Sequence, residues 1–134
     1  MQAGKSIHSQ NCFGCSPQNP IGLKVVFKVA GDGVVGEFTS NENHEGFPGF
    51  VHGGVLAAIL DEALSYIARI SMQHAILTLR ENITFRNASC IGEKLTVEAR
   101  ITEEKKRAFV AKAKLRNQKG VIAEAEGTLL KVKV

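Results

Sequence analysis

At 134 residues and 44% hydrophobic content, the chain suffices for one compact domain with a modest core and leaves no room for a second. Its net charge of +4 suits a phosphate-bearing small molecule, while 6% aromatic content, no tryptophan and no recognisable binding motif argue against nucleic acid. Three cysteines point to reduced thiols rather than a disulfide framework, and neither a membrane-length apolar run nor a signal-peptide centre in MQAGKSIHSQ is present, so a cytoplasmic location without membrane contact is expected.

The first 21 residues are polar and broken by Pro17 and Pro20, which predicts an irregular N-terminal segment. Within it, Cys12-Phe13-Gly14-Cys15 has the spacing of a zinc or redox pair. Zinc prefers four ligands, however, and only Cys90 and scattered histidines are available to complete a set. One such pair is weak evidence, so the expectation is a structural role, with no metal and no cofactor.

Leu23, Val25, Phe27 and Val29 alternate with Lys24, Val26 and Lys28, the period of a strand with one buried face. Ala30-Gly31-Asp32-Gly33 supplies a turn, and Val34 to Ser40 returns as the second strand of a hairpin. A loop follows that holds Gly46, Pro48, Gly49, Gly53 and Gly54, residues suited to tight turns and to close approach of backbone to a ligand. From Val55, apolar residues fall at 55, 56, 59, 60, 63, 64, 67 and 70, the repeat of a helix packed on a core.

At about 100° per residue, Asp61 lies roughly 160° from the centre of that stripe and Glu62 about 100° from it. Asp61 therefore points away from its own core, on a side lined by the small residues Ala57, Ala58 and Ser65, where a partner subunit can pack and enclose it. The helix starts on Gly-Gly, whose unpaired amides and positive dipole end suit an anion or a carbonyl oxygen that becomes one.

Ser71 to His74 is expected to end the helix, Ala75 to Arg86 reads as a strand, and Asn87 to Gly92 as a turn. Three more alternating runs follow, Lys94 to Thr102, Ala108 to Asn117 and Val121 to Val132, with Asn117 to Gly120 as a hairpin connection. Two strands, one helix and four further strands joined by short turns imply an α+β domain, a long antiparallel β-sheet wrapped around one central α-helix.

The run His44-x-Gly46-x-Pro48-Gly49-x-x-His52-Gly53-Gly54, followed by Asp61, resembles the signature of the hotdog-fold acyl-CoA thioesterases of the PaaI-like branch. The likeness extends over most of the chain, and Asn19 to Leu23 resembles a stretch that follows a cysteine-containing segment in such relatives. It implies a single hotdog domain over residues 1–134 that hydrolyses a small-to-medium acyl-CoA thioester to free acid and CoA. It also implies a homodimer or dimer of dimers, in which the aspartate of one subunit works with the glycine amide of the other.

By the same resemblance, Asp61 acts as general base or nucleophile, the Gly53 amide as oxyanion donor, His52 orients the thioester or its leaving sulfur, and the Thr78 hydroxyl holds water or thiol. A histidine that merely anchors its loop and a threonine that merely belongs to a strand are the plain alternatives. His44, Gly46, Pro48, Gly54 and Ser65 are the expected substrate-binding positions. Gly46 stands where many close relatives have an asparagine, which removes one polar contact that His44 or the Pro48-Gly49 backbone would have to replace.

Two other functions compete. An acyl-thioester dehydratase or hydratase on this scaffold would carry a helix glutamate near Ala58 and Ile59, both inert here. A non-catalytic acyl-CoA-binding sensor would have no need of a desolvated acid at Asp61.

Overall fold

The computed structural model describes residues 9–72 and 75–132, so residues 1–8 of the N-terminal segment and residues 73 and 74 at the expected helix end lie outside the described residues. The elements run β1 (Val26–Ala30), β2 (Gly33–Thr39), a 3-10 turn (Glu42–His44), α1 (Gly53–Met72), β3 (Ala75–Phe85), β4 (Lys94–Glu104), β5 (Ala108–Asn117) and β6 (Gly120–Val132). The strands form one antiparallel sheet in the order β1-β2-β4-β5-β6-β3.

The α+β hotdog arrangement is therefore present, with one helix against one long sheet. The β5–β6 hairpin is closed by Asn117, whose Oδ1 accepts from the Lys119 and Gly120 amides at 2.8 and 3.2 Å and so substitutes for a backbone turn. β1 begins later than alternation predicts. The amides of Leu23 and Val25 donate to the carbonyls of Phe13 and Gly14 at 2.7 and 2.9 Å, not to β2, although both side chains are buried as the alternation requires.

The apolar stripe of α1 is fully buried at Ile59, Leu60, Ala63, Leu64 and Ile67. It lies on the sheet face formed by Leu95, Val97, Phe109, Ala111, Ala113, Leu115 and Leu129. The alanines of β5 let the helix sit close to the sheet centre, and dense packing there makes truncation expensive. Leu64→Ala is expected to cost about 2–5 kcal/mol.

The sheet ends at β1 on one side and β3 on the other. β3 is eleven residues long and leaves Leu77, Leu79 and Phe85 more than half exposed. A long apolar edge strand is a template for pairing with another chain. On the opposite flank of α1, Phe27 of β1 stacks on Tyr66 with ring centroids 4.5 Å apart. No helix among the described residues is long and apolar enough to cross a membrane.

Candidate active site

The loop leading into α1 is built by its own hydrogen bonds. Phe47 to Phe50 forms a type II turn: the Phe50 amide donates to Phe47 O at 2.9 Å, Pro48 sits at the second position and Gly49 at the third with φ of 86°. Glu45 Oε2 accepts the Gly49 amide at 2.8 Å, and the Gly46 amide donates to Phe50 O at 2.9 Å. A Cβ on Gly46 would lie 2.9 Å from His52 Cα, so the asparagine of other such loops has no space in this one.

His44 serves the same scaffold. Its Nδ1 accepts the Asn41 amide at 3.0 Å, its carbonyl accepts the His52 amide at 2.8 Å, and its ring lies 5.1 Å from that of Phe38. Burial pushes its pKa below the ordinary histidine value, which favours the neutral ring that this acceptor role needs.

At the start of α1, the amides are sorted one by one. Val55 and Leu56 donate to His52 O at 3.0 and 3.2 Å, and Gly54 donates to His52 Nδ1 at 2.8 Å. Gly53 alone of these four has no acceptor among the described residues, so the positive end of the helix is focused on one N–H. Because Nδ1 of His52 accepts, a neutral ring carries its hydrogen on Nε2 and presents a donor outward. The loop-anchor and substrate-orienting readings of His52 are thus compatible, one on each ring nitrogen.

Two turns further along α1, Asp61 is half-buried against β3. Thr78 Oγ1 donates to Asp61 Oδ1 at 2.6 Å, and Ser65 Oγ lies 3.4 Å from Thr78 Oγ1. A second carboxyl group, Glu81, completes the cluster. Burial first, then its hydrogen bond to Asp61 and the charge of Asp61, push Glu81 up to about 8. At neutral pH Glu81 therefore keeps its proton and serves as a donor to the Asp61 carboxylate.

Strict alternation from Thr78 puts Glu81 on the far face of β3. A bulge prevents this: Thr78 pairs with Leu129 and Arg80 with Thr128, leaving Leu79 as the extra residue. Beyond it the parity is reversed, so that Glu81 meets Asp61, Ile83 packs on the core, and Phe85 lies 3.9 Å from where a Cβ on Gly53 would be. Glu81 is the functional candidate that the sequence does not single out, and its only signal, an acid within a β-rich run, is too common to find it.

Glu62 points elsewhere. Its carboxylate is buried beneath residues 12–15, with Arg69 Nη2 donating to Oε1 at 3.0 Å and the Cys12 sulfur at 3.8 and 3.9 Å from its two oxygens. Burial and the neighbouring Glu62 push the Cys15 thiol well above its ordinary range.

The structure thus collects the expected site residues into two groups. Asp61, Ser65 and Thr78 form one, joined by Glu81, while His52, Gly53 and Gly54 form the other, with His44, Gly46 and Pro48 in the supporting loop. Eight residues along one helix separate Gly53 from Asp61, roughly 12 Å at 1.5 Å per residue. That span is too long for an oxyanion donor and a base to act on one carbonyl carbon.

A family profile described as the thioesterase superfamily matches residues 48–124. Acyl-coenzyme A thioesterase THEM5 from Mus musculus is 33% identical over 92 residues, 67% of this chain and 37% of that protein. The chain therefore spans little more than a third of the curated relatives it matches. Among solved structures, the PaaI protein of the E. coli phenylacetic acid degradation operon is 21% identical with a TM-score of 0.76, over 83% of this chain and 81% of that one. A hypothetical thioesterase protein from Streptococcus pneumoniae TIGR4, solved with coenzyme A, is 21% identical with a TM-score of 0.74, over 81% and 88%. These two likenesses speak for the fold.

Proposed function

The chain belongs to the thioesterase superfamily, and from that premise we propose that it hydrolyses an acyl-CoA thioester at composite sites in a homodimer, each uniting Asp61 of one subunit with Gly53 of its partner. The separation of these two groups along α1, beside an open apolar edge strand, carries this reading. Pairing of two β3 edges would cover Leu77 and Leu79, while the small-residue side of α1, at Ala57 and Ala58, would close over Asp61. The curated relatives bear the name acyl-coenzyme A thioesterase and one structural neighbour was solved with coenzyme A, which supports the choice of thioester.

In the composite site, the thioester oxygen sits on the lone Gly53 N–H, and His52 Nε2–H adds a second donor at the carbonyl or sulfur. Asp61, held by Thr78 and protonated Glu81, takes a proton from water as the resulting hydroxide adds to the acyl carbon. Collapse of the tetrahedral oxyanion breaks the C–S bond, and the proton held by Asp61 passes to the CoA sulfur. If Asp61 attacks directly instead, an aspartyl anhydride forms and water opens it. Single turnover in ¹⁸O-water tests for the anhydride: ¹⁸O in the Asp61 carboxylate requires direct attack followed by opening of the anhydride at its aspartyl carbonyl, whereas general-base attack places the label in the product acid alone.

Subunit mixing tests the composite site. Proline is tolerated at the first helical position and removes the donor, so Gly53→Pro should lose about 10²- to 10³-fold in kcat, whereas Gly53→Ala, which keeps the N–H and meets only Phe85, should not. Mixing inactive Asp61→Asn chains with inactive Gly53→Pro chains should restore about a quarter of wild-type activity, because half the dimers are mixed and each has one intact site. No recovery in demonstrably mixed dimers would place both groups in one chain and end the proposal.

A further inference from the structure

The N-terminal Cys-x-x-Cys segment found a third partner that sequence spacing does not reveal. We propose that Cys12, Cys15 and Glu62 form a binding site for one divalent cation of zinc type, independent of the thioester site and fastening the N-terminal segment to α1. Their three ligand atoms lie within 4.8 Å of one another. The two sulfurs are 3.2 Å apart, and Cys12 Sγ lies 3.8 Å from Glu62 Oε1 and 3.9 Å from Oε2. A tetrahedral ion with zinc–sulfur bonds of about 2.3 Å and a zinc–oxygen bond of about 2.1 Å holds its sulfurs about 3.8 Å apart and sulfur and oxygen about 3.6 Å apart. The two pairs made by Cys12 lie within about 0.6 Å of those separations.

The site is built from two parts of the chain 50 residues apart, and each is held in place. The Cys12–Cys15 turn is closed by the Ser16 amide on Cys12 O at 3.1 Å and tied down through Phe13 O and Gly14 O to Leu23 and Val25. Gly14 lets the turn descend onto the carboxylate, since a Cβ there would collide with the Glu62 carboxyl group. Arg69 occupies Oε1, which leaves Oε2 for the ion and fixes the carboxylate from behind, as outer partners of metal ligands do. Sulfur donors with one carboxylate suit zinc over magnesium or calcium, which take oxygen ligands.

Charge also closes. Binding releases the two thiol protons to solvent, after which two thiolates and one carboxylate face a divalent cation and the Arg69 guanidinium, a net charge of zero. The fourth tetrahedral position falls to solvent. Cys90, the remaining cysteine, lies in the turn near Phe50 and takes no part.

The test uses the full chain, purified under reductant without chelator and loaded with zinc, then with cobalt. About one zinc per chain is expected by elemental analysis, and cobalt should give sulfur-to-metal charge-transfer bands with tetrahedral ligand-field absorption. Cys12→Ser with Cys15→Ser should abolish both signals, Glu62→Gln should weaken affinity at least tenfold, and Cys90→Ser should leave both intact. Circular dichroism of each variant excludes simple unfolding. Absence of stoichiometric metal in the reduced wild type, full affinity in Glu62→Gln, or loss of metal with Cys90→Ser would each overturn the site. So would a metal-free protein lighter by two hydrogens, which would make the pair a disulfide instead. None of these readouts depends on hydrolysis, so the site and the thioesterase reading fail separately.

Discussion

Asp61 and Glu62 are adjacent acids on one helix, yet they lie in different chemical environments. Asp61 faces the edge strand, where a hydroxyl and a protonated carboxyl group hold it half-exposed and no cation pairs with it among the described residues. Glu62 faces the N-terminal segment, buried and paired with Arg69 beneath two cysteines. A rotation of about 100° is enough to separate a carboxylate available for chemistry from one committed to holding the fold. What covers each side of α1 decides the role.

The sharpest way to break this comparison is to neutralise each acid in turn. Asp61→Asn should lose about 10²- to 10⁴-fold in acyl-CoA hydrolysis while retaining substrate affinity, since shape survives but the base or nucleophile does not. Glu62→Gln should lose far less per folded protomer. If steady-state kinetics found the two variants alike, or Glu62→Gln the inactive one, the assignment of the two faces would be wrong.

Glu81 sharpens the comparison on the Asp61 side. With its pKa pushed up to about 8, Glu81 donates to Asp61 below that pH and becomes a second negative charge above it. Activity should therefore fall as pH rises through about 8, and Glu81→Gln, which keeps a donor at all pH values, should lack that decline. Stability has the same sign: an unfolded carboxyl ionises near 4.5 and the folded one near 8, so the folded state binds the extra proton between them. Wild-type Tm should drop as pH rises across that window relative to Glu81→Gln. Superimposable profiles of the two proteins would remove Glu81 from the site.

On the Glu62 side the expected effect is on stability. Glu62→Gln leaves the Arg69 charge buried without its anion, and chemical denaturation should show a loss of about 1–3 kcal/mol. An unchanged midpoint would mean that the Arg69–Glu62 pair, which lies within α1, adds nothing to the stability of the fold.

Much of this was legible in the chain. The alternation of Leu23, Val25 and Phe27 and of the last three strands, the helical repeat from Val55, and the angular offset of Asp61 follow from local periodicity, which depends only on residues a few positions apart. Val29, expected on the same buried face, is exposed because β1 is an edge strand. The loop from His44 to Gly54 also carries its meaning locally, in the φ of Gly49 and in the Gly-Gly start of the helix.

What sequence left undecided depends on groups far apart in the chain. Periodicity alone did not distinguish the Gly53 and Gly54 amides, although the family resemblance gave the oxyanion role to Gly53, and in the fold His52 Nδ1 accepts only the Gly54 amide. It kept Thr78 open between strand filler and site residue, and the 2.6 Å bond to Asp61 joins the two. It hid Glu81, because one bulged residue at Leu79 reverses every later side chain of β3 and no period-two pattern records such an insertion. It paired Cys12 with Cys15 but gave no hint of Glu62, since the third member of that cluster is 50 residues away and meets them only when the N-terminal segment folds across α1. Local pattern determined which elements form and which face of α1 meets the core; tertiary packing alone decided the facing of β3 beyond its bulge and which polar groups from different elements share a space, because those depend on register and crossing rather than on period.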